Sequence, residues 1–263
     1  MKARSGYLNQ VGLFWLEEGS HSVGSAPGSD VRLPSSAAAD IGVLDVSQDG
    51  VRMRVKSGVD VISGDEPVTD LLIADDTTEA PVEVTHGSIA WTVIKRDDRF
   101  AIRVRDFEHP FVETFGPLPY FPIDTSVRVP ATLQRYDVPR VANVDTVIEG
   151  LGYHPESPGV VSFKIEGERF ELEAYASGER LFFVFGDVTN RDETYGAGRF
   201  LYADLPGADG KTILDFNRSY SPPCAFNDFS TCPVASPRNR LPIRIEAGEK
   251  YDPALHYISD IAH

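Results

Sequence analysis

Apolar and polar residues alternate with a period of two along much of the chain. In the segment VRMRVK at 51–56, three apolar residues alternate with three basic ones, which is the pattern of a half-buried β-strand. Two longer alternating stretches are interrupted by short polar turns, at 97–98 and at 167–168, and each predicts a β-hairpin.

Two further patterns add strands to the C-terminal half. The segment LFFVF at 181–185 is apolar at every position and predicts a strand covered on both faces. Alternation at Leu241, Ile243 and Ile245 predicts a last strand, and only 252–261 has helical spacing of any length. Strands recurring about every 8–12 residues predict an all-β protein built as two packed sandwich-like or barrel-like units.

A stretch rich in proline and aromatic residues interrupts the strand pattern. The segment PFVETFGPLPYFP begins at Pro110, and its prolines predict that no regular structure forms there. We therefore expect an N-terminal β unit at 1–109, a connection at 110–124 and a C-terminal β unit at 125–263. The C-terminal unit carries a long proline-rich loop.

The N-terminal unit has one further resemblance. The segment EEGSHSVGS at 17–25, followed by many short strands, resembles the opening of a forkhead-associated β-sandwich. It lacks the Ser-Arg-x-x-His and Asn positions with which that family binds phosphothreonine. The resemblance therefore implies at most the architecture.

Composition narrows the range of partners and compartments. The formal net charge of the 263 residues is −15, Asp supplies 23 of the 40 acids, and Lys supplies 6 of the 25 bases. Such a surface is typical of salt-adapted proteins, and it argues against nucleic-acid or anionic-membrane partners. The apolar stretch 11–16 is too short for a signal peptide and no run is long enough to span a membrane, so we expect a cytoplasmic protein.

The stretch from Val188 to Lys250 differs from the rest of the chain in its charge. It holds eight acidic and eight basic residues, so the net charge of −15 comes from elsewhere. Buried charges must be paired because an unpaired one is costly. The balance predicts ion pairing inside a folded loop system.

Motifs in this region and upstream of it resemble one known family. They run from GLFWLEEG through HGSIAWTVIKR and TYGAGRFLYAD to the loop DFNRSYSPPCAFNDFSTCPVASPRNRLPIRIEAGEK. By these motifs the chain resembles the bacterial and archaeal family known as domain of unknown function 1684. The resemblance implies no established activity. The chain departs from the family pattern at 218–221, where Asn commonly precedes the prolines.

Polar side chains of this region form the candidate site. Asp187 and Asp215 lie at the ends of two predicted strands and Arg199 begins a third, so the arginine could lie between the two carboxylates. One interpretation is structural, with hydrogen bonds satisfying the backbone of the loop. The other is a pocket for a small polar or anionic ligand, or a contact with a partner, anchored by Arg199. The candidate residues are Asp187, Thr194, Tyr195, Arg199, Asp215, Asn217, Tyr220, Cys224 and Asn239.

Alternatives that involve catalysis or assembly stay open. Cys224 and Cys232 lack the other two ligands of a structural zinc site, so no metal or cofactor is predicted and two buried, reduced thiols are expected. Cys224 as a nucleophile has no local histidine signature. A hydrolase could use Asp187 and Asp215, with or without a divalent cation. The remaining possibility is a homo-oligomeric assembly module, and the sequence does not decide whether the protein is an enzyme.

Overall fold

The computed structural model describes residues 1 and 3–257, and it is built almost entirely from β-strands. The all-β prediction is confirmed. The chain forms two compact units, which meet in sequence between Phe115 and Gly116. Unit 1 is Met1–Phe115 together with Asn227–Ser230 and Tyr257, and unit 2 is Gly116–Phe226 with Thr231–His256.

Unit 1 contains two β-sheets around one core. Its strands are β1 (Gln10–Leu16), β2 (Gly19–Gly24), β3 (Val31–Arg32), β4 (Gly42–Ser47), β5 (Gly50–Val55), β6 (Ile62–Ser63), β7 (Glu66–Pro67), β8 (Asp70–Ile73), β9 (Glu83–His86), β10 (Ile89–Arg96) and β11 (Arg99–Asp106). One sheet has the order β1-β11-β10-β9-β6-β7 and the other β3-β2-β4-β5-β8. Met53 of the second sheet and Trp91 and Ile102 of the first belong to the same buried cluster, so the apolar faces of both sheets form one core.

The hairpin predicted around 97–98 is formed by β10 and β11. Arg96 pairs with Arg99 at its end, and Asp97 adopts a φ of 51°, a conformation that Asp tolerates better than most residues. Trp91, Val93 and Ile102 point into the core, as their alternation indicates.

A short helix corrects the prediction for the proline-rich stretch. Helix α1 (Pro110–Thr114) forms where the prolines were expected to forbid regular structure. Proline is tolerated in the first helical turn because its missing N–H would have no partner there. The side chain of His109 accepts a hydrogen bond from the backbone N–H of Phe111 and caps the helix.

Unit 2 is built around one curved antiparallel sheet. Its strands are β12 (Arg128–Val141), β13 (Val144–Asp145), β14 (Gly152–Tyr153), β15 (Glu156–Ile165), β16 (Glu168–Ser177), β17 (Arg180–Phe185), β18 (Arg199–Asp204) and β19 (Lys211–Asp215). Six of them form a sheet in the order β18-β17-β16-β15-β12-β19. The two end strands approach each other, and the hydroxyl of Thr212 donates to the carbonyl of Asp204 at 2.8 Å. The sheet is therefore a nearly closed barrel with a seam between β18 and β19.

Both faces of β17 are buried, as the segment LFFVF predicts. Leu181, Phe183 and Phe185 belong to the cluster inside the barrel. Phe182 and Val184 belong to a second cluster on the outer face of the sheet. The loop after β19, which carries both cysteines, and the two-stranded sheet of β13 and β14 contribute to this outer cluster.

The last predicted strand is not one. Leu241 and Ile245 are buried and belong to the barrel core, so the predicted alternation is correct, but 241–245 lies outside any strand. The backbone N–H of Leu241 donates to Gly186, and an isolated bridge joins Gly186 to Arg240. Pro242 has no N–H, so it interrupts any ladder at this point.

The C-terminal helical pattern is described only in part. Pro253–Leu255 forms a single 3₁₀ turn, and 258–261 of the predicted segment lie outside the described residues. Other 3₁₀ turns of the same length occur at Thr125–Val127, Phe216–Arg218, Pro223–Ala225 and Pro237–Asn239. Within residues 1 and 3–257, no helix has the length and apolar character that crossing a bilayer requires.

Candidate functional site

Two of the candidate residues form a sealed ion pair. Arg199 begins β18 and Asp187 follows β17, and Nη2 of the arginine lies 3.1 Å from Oδ2 of the aspartate. Both side chains are fully buried. The guanidinium also donates to the carbonyls of Ala247 and Ile245, and the carboxylate accepts from the N–H of Ile245 at 2.7 Å and from Thr189 Oγ1 at 2.6 Å.

This network fixes the segment around 245–247 against the barrel. Burial lowers the pKa of Arg199, and the charge of Asp187 opposes that shift. Two of the three guanidinium nitrogens have acceptors, whereas Nε is buried without one. Because neither side chain is exposed to solvent, the pair holds the fold together in this arrangement and offers no open surface to a solute.

Thr194 belongs to the turn that follows Asp187. Its hydroxyl lies 2.8 Å from that of Thr189, which itself donates to Asp187, and it accepts a bond from Nδ2 of Asn190 at 2.9 Å. Thr194 is buried. The hydrogen bonds of this turn therefore help to fix the position of the Asp187 carboxylate.

Tyr195 and the two cysteines form a separate cluster. Neither Cys224 nor Cys232 forms a disulfide, both are buried, and the N–H of Cys224 donates to Sγ of Cys232 at 3.3 Å. Burial, together with the neighbouring Cys232, raises the pKa of the Cys224 thiol. Burial also raises the pKa of Tyr195, beside Cys224. A neutral, buried thiol is a weak nucleophile, so the geometry does not favour Cys224 as one.

Asn239 has a structural set of partners. Its Nδ2 donates to the carbonyls of Glu173 and Val184 at 3.0 and 3.1 Å, and its Oδ1 accepts from the N–H of Glu173 at 2.8 Å. It is fully buried. The side chain therefore joins the loop at 237–239 to strands β16 and β17.

Asp215 does not share Arg199 with Asp187. Its Oδ1 accepts from the backbone N–H and Nδ2 of Asn217 at 3.2 and 2.9 Å, and its Oδ2 lies 3.7 Å from Nε of Arg128. Besides Asp187, the acid whose charge acts on Arg199 is Glu249. Arg199 was expected to lie between the carboxylates of Asp187 and Asp215. It pairs with Asp187 but not with Asp215.

Asp215 and Tyr220 line an open pocket of about 500 Å³ at the seam of the barrel. The loop at 205–210 joins β18 to β19, and after the 3₁₀ turn at Phe216–Arg218 the chain returns to β18. There Tyr220 exchanges two backbone hydrogen bonds with Phe200. The pocket is lined by Arg128, Arg180, Tyr202, Ala203, Asp204, Leu205, Lys211, Thr212, Ile213, Asp215, Arg218 and Tyr220.

The pocket carries more basic than acidic side chains. Its four bases are Arg128, Arg180, Lys211 and Arg218, and its two acids are Asp204 and Asp215. Arg128 and Lys211 pair with carboxylates, at 3.7 and 3.3 Å, whereas neither Arg180 nor Arg218 forms an ion pair with any described residue.

Aromatic rings form one side of the same pocket. The rings of Tyr202 and Tyr220 are nearly parallel, with centroids 6.4 Å apart. The guanidinium carbon of Arg180 lies 4.0 Å from the centre of the Tyr202 ring, which is the geometry of a cation–π contact. Burial raises the pKa of Tyr220, so its hydroxyl stays a hydrogen-bond donor at neutral pH.

Sequence reasoning missed most of this pocket. Arg180, Tyr202 and Asp204 occupy outward-facing positions at the adjacent ends of β17 and β18, where Arg180 pairs in register with Asp204. The available signal was charge at strand ends next to the polar loop.

Among the described residues, no group of three His, Cys, Asp or Glu side chains is arranged to hold a metal ion.

One family model covers the residues of the candidate site and of the seam pocket. The sequence model of the family described as "Protein of unknown function (DUF1684)" matches residues 113–250. The chain belongs to this family. The matched residues include all nine candidate residues and the whole lining of the seam pocket.

The chain is also similar to a solved structure from Haloarcula marismortui. The solution NMR structure of the uncharacterized protein from gene locus rrnAC0354 of Haloarcula marismortui is 30% identical and covers 52% of this chain and 78% of that chain, with a TM-score of 0.44. No curated protein matches the chain.

Proposed function

We propose that this protein binds a small anionic ligand in the seam pocket between β18 and β19. The observation that carries the proposal is the pair of guanidinium groups, on Arg180 and Arg218, that line the pocket without a carboxylate partner among the described residues. A guanidinium presents a planar set of donors that suits carboxylate and phosphate oxygens.

The charge distribution supports an anion rather than a cation. The chain as a whole has a net charge of −15, yet this pocket has four basic and two acidic side chains. A local excess of positive charge in a cleft concentrates anions there. A second depression in unit 2, of about 430 Å³, is lined by Asp145, Glu149 and His154 but by no Arg or Lys.

Backbone groups of β18 add to the donor set. The backbone N–H and C=O of Phe200 both form hydrogen bonds with Tyr220, so these groups point toward the seam. In a strand, alternate residues point their N–H and C=O groups to the same side, so the N–H of Tyr202 also faces the seam. An anion held by the two arginines would lie next to this edge.

The proposed binding site shares two residues with the site predicted from the sequence, but Arg199 is not part of it. Asp215 and Tyr220 belong to the pocket, whereas Arg199 is sealed and both of its terminal nitrogens already donate, to Asp187, Ala247 and Ile245. Binding is favoured over hydrolysis by an Asp187–Asp215 pair because each of these carboxylates is engaged by a different set of partners.

Titration calorimetry and thermal shift with inorganic phosphate and citrate test the proposal, with ionic strength held constant by NaCl. We expect binding to the wild-type protein and a loss of about tenfold or more in affinity for Arg218→Ala and Arg180→Ala, since a hydrogen bond to a charged group contributes about 1.5–3 kcal/mol. Arg135→Ala, an exposed change on β12, is the matched control and should leave affinity unchanged. Equal responses of all four proteins, or no response of the wild type, would refute anion binding here.

A further inference from the structure

An unpaired acid lies in the same pocket as the unpaired bases. Asp204 is exposed at the end of β18 and forms no ion pair with any described residue. Arg180 pairs with it in register on β17, and facing residues in such a pair lie close enough for an ion pair to form. The guanidinium instead lies over the ring of Tyr202.

This separation leaves two kinds of polar group open to a ligand. Arg180 and Arg218 can donate to an anion, and the carboxylate of Asp204 can only accept. A simple anion would be repelled by Asp204, so for such a ligand this residue is unfavourable. A ligand that also brings hydroxyl donors would turn the same carboxylate into a favourable partner.

The tyrosines suit the uncharged part of such a ligand. The rings of Tyr202 and Tyr220 give the pocket an apolar surface, and their hydroxyls can donate or accept. The volume of about 500 Å³ lies within the range of ordinary small-ligand sites, and it exceeds what a single phosphate ion requires.

We infer that the ligand of the seam pocket is a phosphorylated sugar or polyol, whose phosphate binds Arg180 and Arg218 while a hydroxyl group donates to Asp204. This inference rests on the proposed function, because it requires the anion to bind in this pocket. It adds that the hydroxyl-bearing part of the ligand contributes to affinity and selectivity.

The test compares glucose 6-phosphate, inorganic phosphate and glucose by titration calorimetry on the full chain. For the wild type we expect glucose 6-phosphate to bind about tenfold or more tightly than inorganic phosphate, from one added bond to a charged acceptor. Asp204→Asn should reduce this ratio to about threefold or less, and it should not weaken the binding of inorganic phosphate, because it removes a repulsive charge.

Control measurements separate the possible outcomes. Asp137→Asn, an exposed change on β12, should keep the wild-type ratio, and thermal unfolding of both variants should show an intact fold. A wild-type ratio near one, or a large ratio that Asp204→Asn leaves unchanged, would overturn the inference while anion binding stands. If neither phosphate compound binds, the proposed function itself fails.

Discussion

A fully buried arginine is costly unless its charge and its donors have partners. Arg199 has Asp187 at 3.1 Å and two carbonyl acceptors, so most of its hydrogen-bonding capacity is used inside unit 2. At the scale of single residues, this pair explains how the loop after β19, which forms no strand among the described residues, is held against the barrel.

Replacing Arg199 by Met removes one partner and leaves the carboxylate of Asp187 buried without a countercharge. We expect the free energy of unfolding to fall by about 3–5 kcal/mol, the usual cost of breaking a buried pair. Urea unfolding monitored by far-UV circular dichroism measures this free energy. Arg135→Met on the exposed face of β12 should change stability by less than about 0.5 kcal/mol. A similar small effect for Arg199→Met would mean that the pair is not structural.

Glu249 gives unit 2 a pH dependence. Its side chain is buried, and burial raises its pKa above the ordinary value of 4.5, although bonds from the Ser221 N–H at 3.1 Å and the Tyr120 hydroxyl at 3.4 Å and the charge of Arg199 oppose the shift. An acid with a raised pKa holds its proton more tightly in the folded state. Its contribution to stability is therefore fully present below about pH 4.5 and is lost as pH rises through the raised value.

Glu249→Gln removes this titration and keeps an acceptor oxygen. We expect the stability of the variant relative to the wild type to increase between pH 4 and pH 8, because only the wild type must ionise a buried acid. Chemical denaturation at several pH values measures this difference. The exposed control Glu179→Gln should show a flat difference over the same range. A flat profile for Glu249→Gln would contradict the assigned role.

The residue types of the site were predictable, but only part of their grouping was. The sequence indicated that Arg199 could lie near Asp187, because the two residues lie at ends of predicted strands. It could not separate Asp215 from them, since strand order within a sheet is not visible in one sequence. Arg180 and Tyr202 were missed because outward-facing strand residues are most often solvated.

At the scale of elements, the return of the chain to β18 and β19 depends on a close backbone approach. Gly248 has a φ of +78°, and a methyl group on its Cα would overlap the hydroxyl of Ser219 and lie 2.5 Å from the Ser219 carbonyl oxygen. The N–H of Glu249 donates to that same carbonyl at 2.9 Å. The two segments therefore cannot separate without losing this bond.

Gly248→Ala and Gly167→Ala form a matched pair that isolates this packing. Both glycines have positive φ, but nothing lies within 4 Å of a Cβ at Gly167. We expect Gly167→Ala to cost about 1–2 kcal/mol for its backbone conformation, and Gly248→Ala to cost about 1–3 kcal/mol more for overlap. Differential scanning calorimetry compares them, and equal losses would show that the contact is not tight.

Elements with strict alternation were predicted best. The hairpins of β10 with β11 and of β15 with β16 follow directly from it. The same alternation at 241–245 predicted burial correctly and the strand wrongly, because Pro242 limits pairing and side-chain burial does not require a ladder. The helix α1 was missed because a capping His109 is weak evidence beside several prolines.

At the scale of the whole molecule, composition and periodicity predicted an all-β protein with two units. They could not predict that the six-stranded sheet of unit 2 nearly closes, since closure depends on sheet curvature. The salt adaptation suggested by the net charge of −15 remains a prediction. The cytoplasmic location, which was predicted from the short apolar stretch at 11–16, also remains a prediction.

Unit 1 is discontinuous in sequence, because it includes Asn227–Ser230. Phe229 is fully buried there among Leu13, Ile94 and Ala101. A fragment that ends at residue 115 would lack this phenylalanine and retain an empty space among its apolar neighbours, whereas a fragment that begins at residue 116 would expose the ring to water. We therefore expect both fragments to be less stable than the intact protein, and a dissection of this protein has to keep 227–230 together with the rest of unit 1.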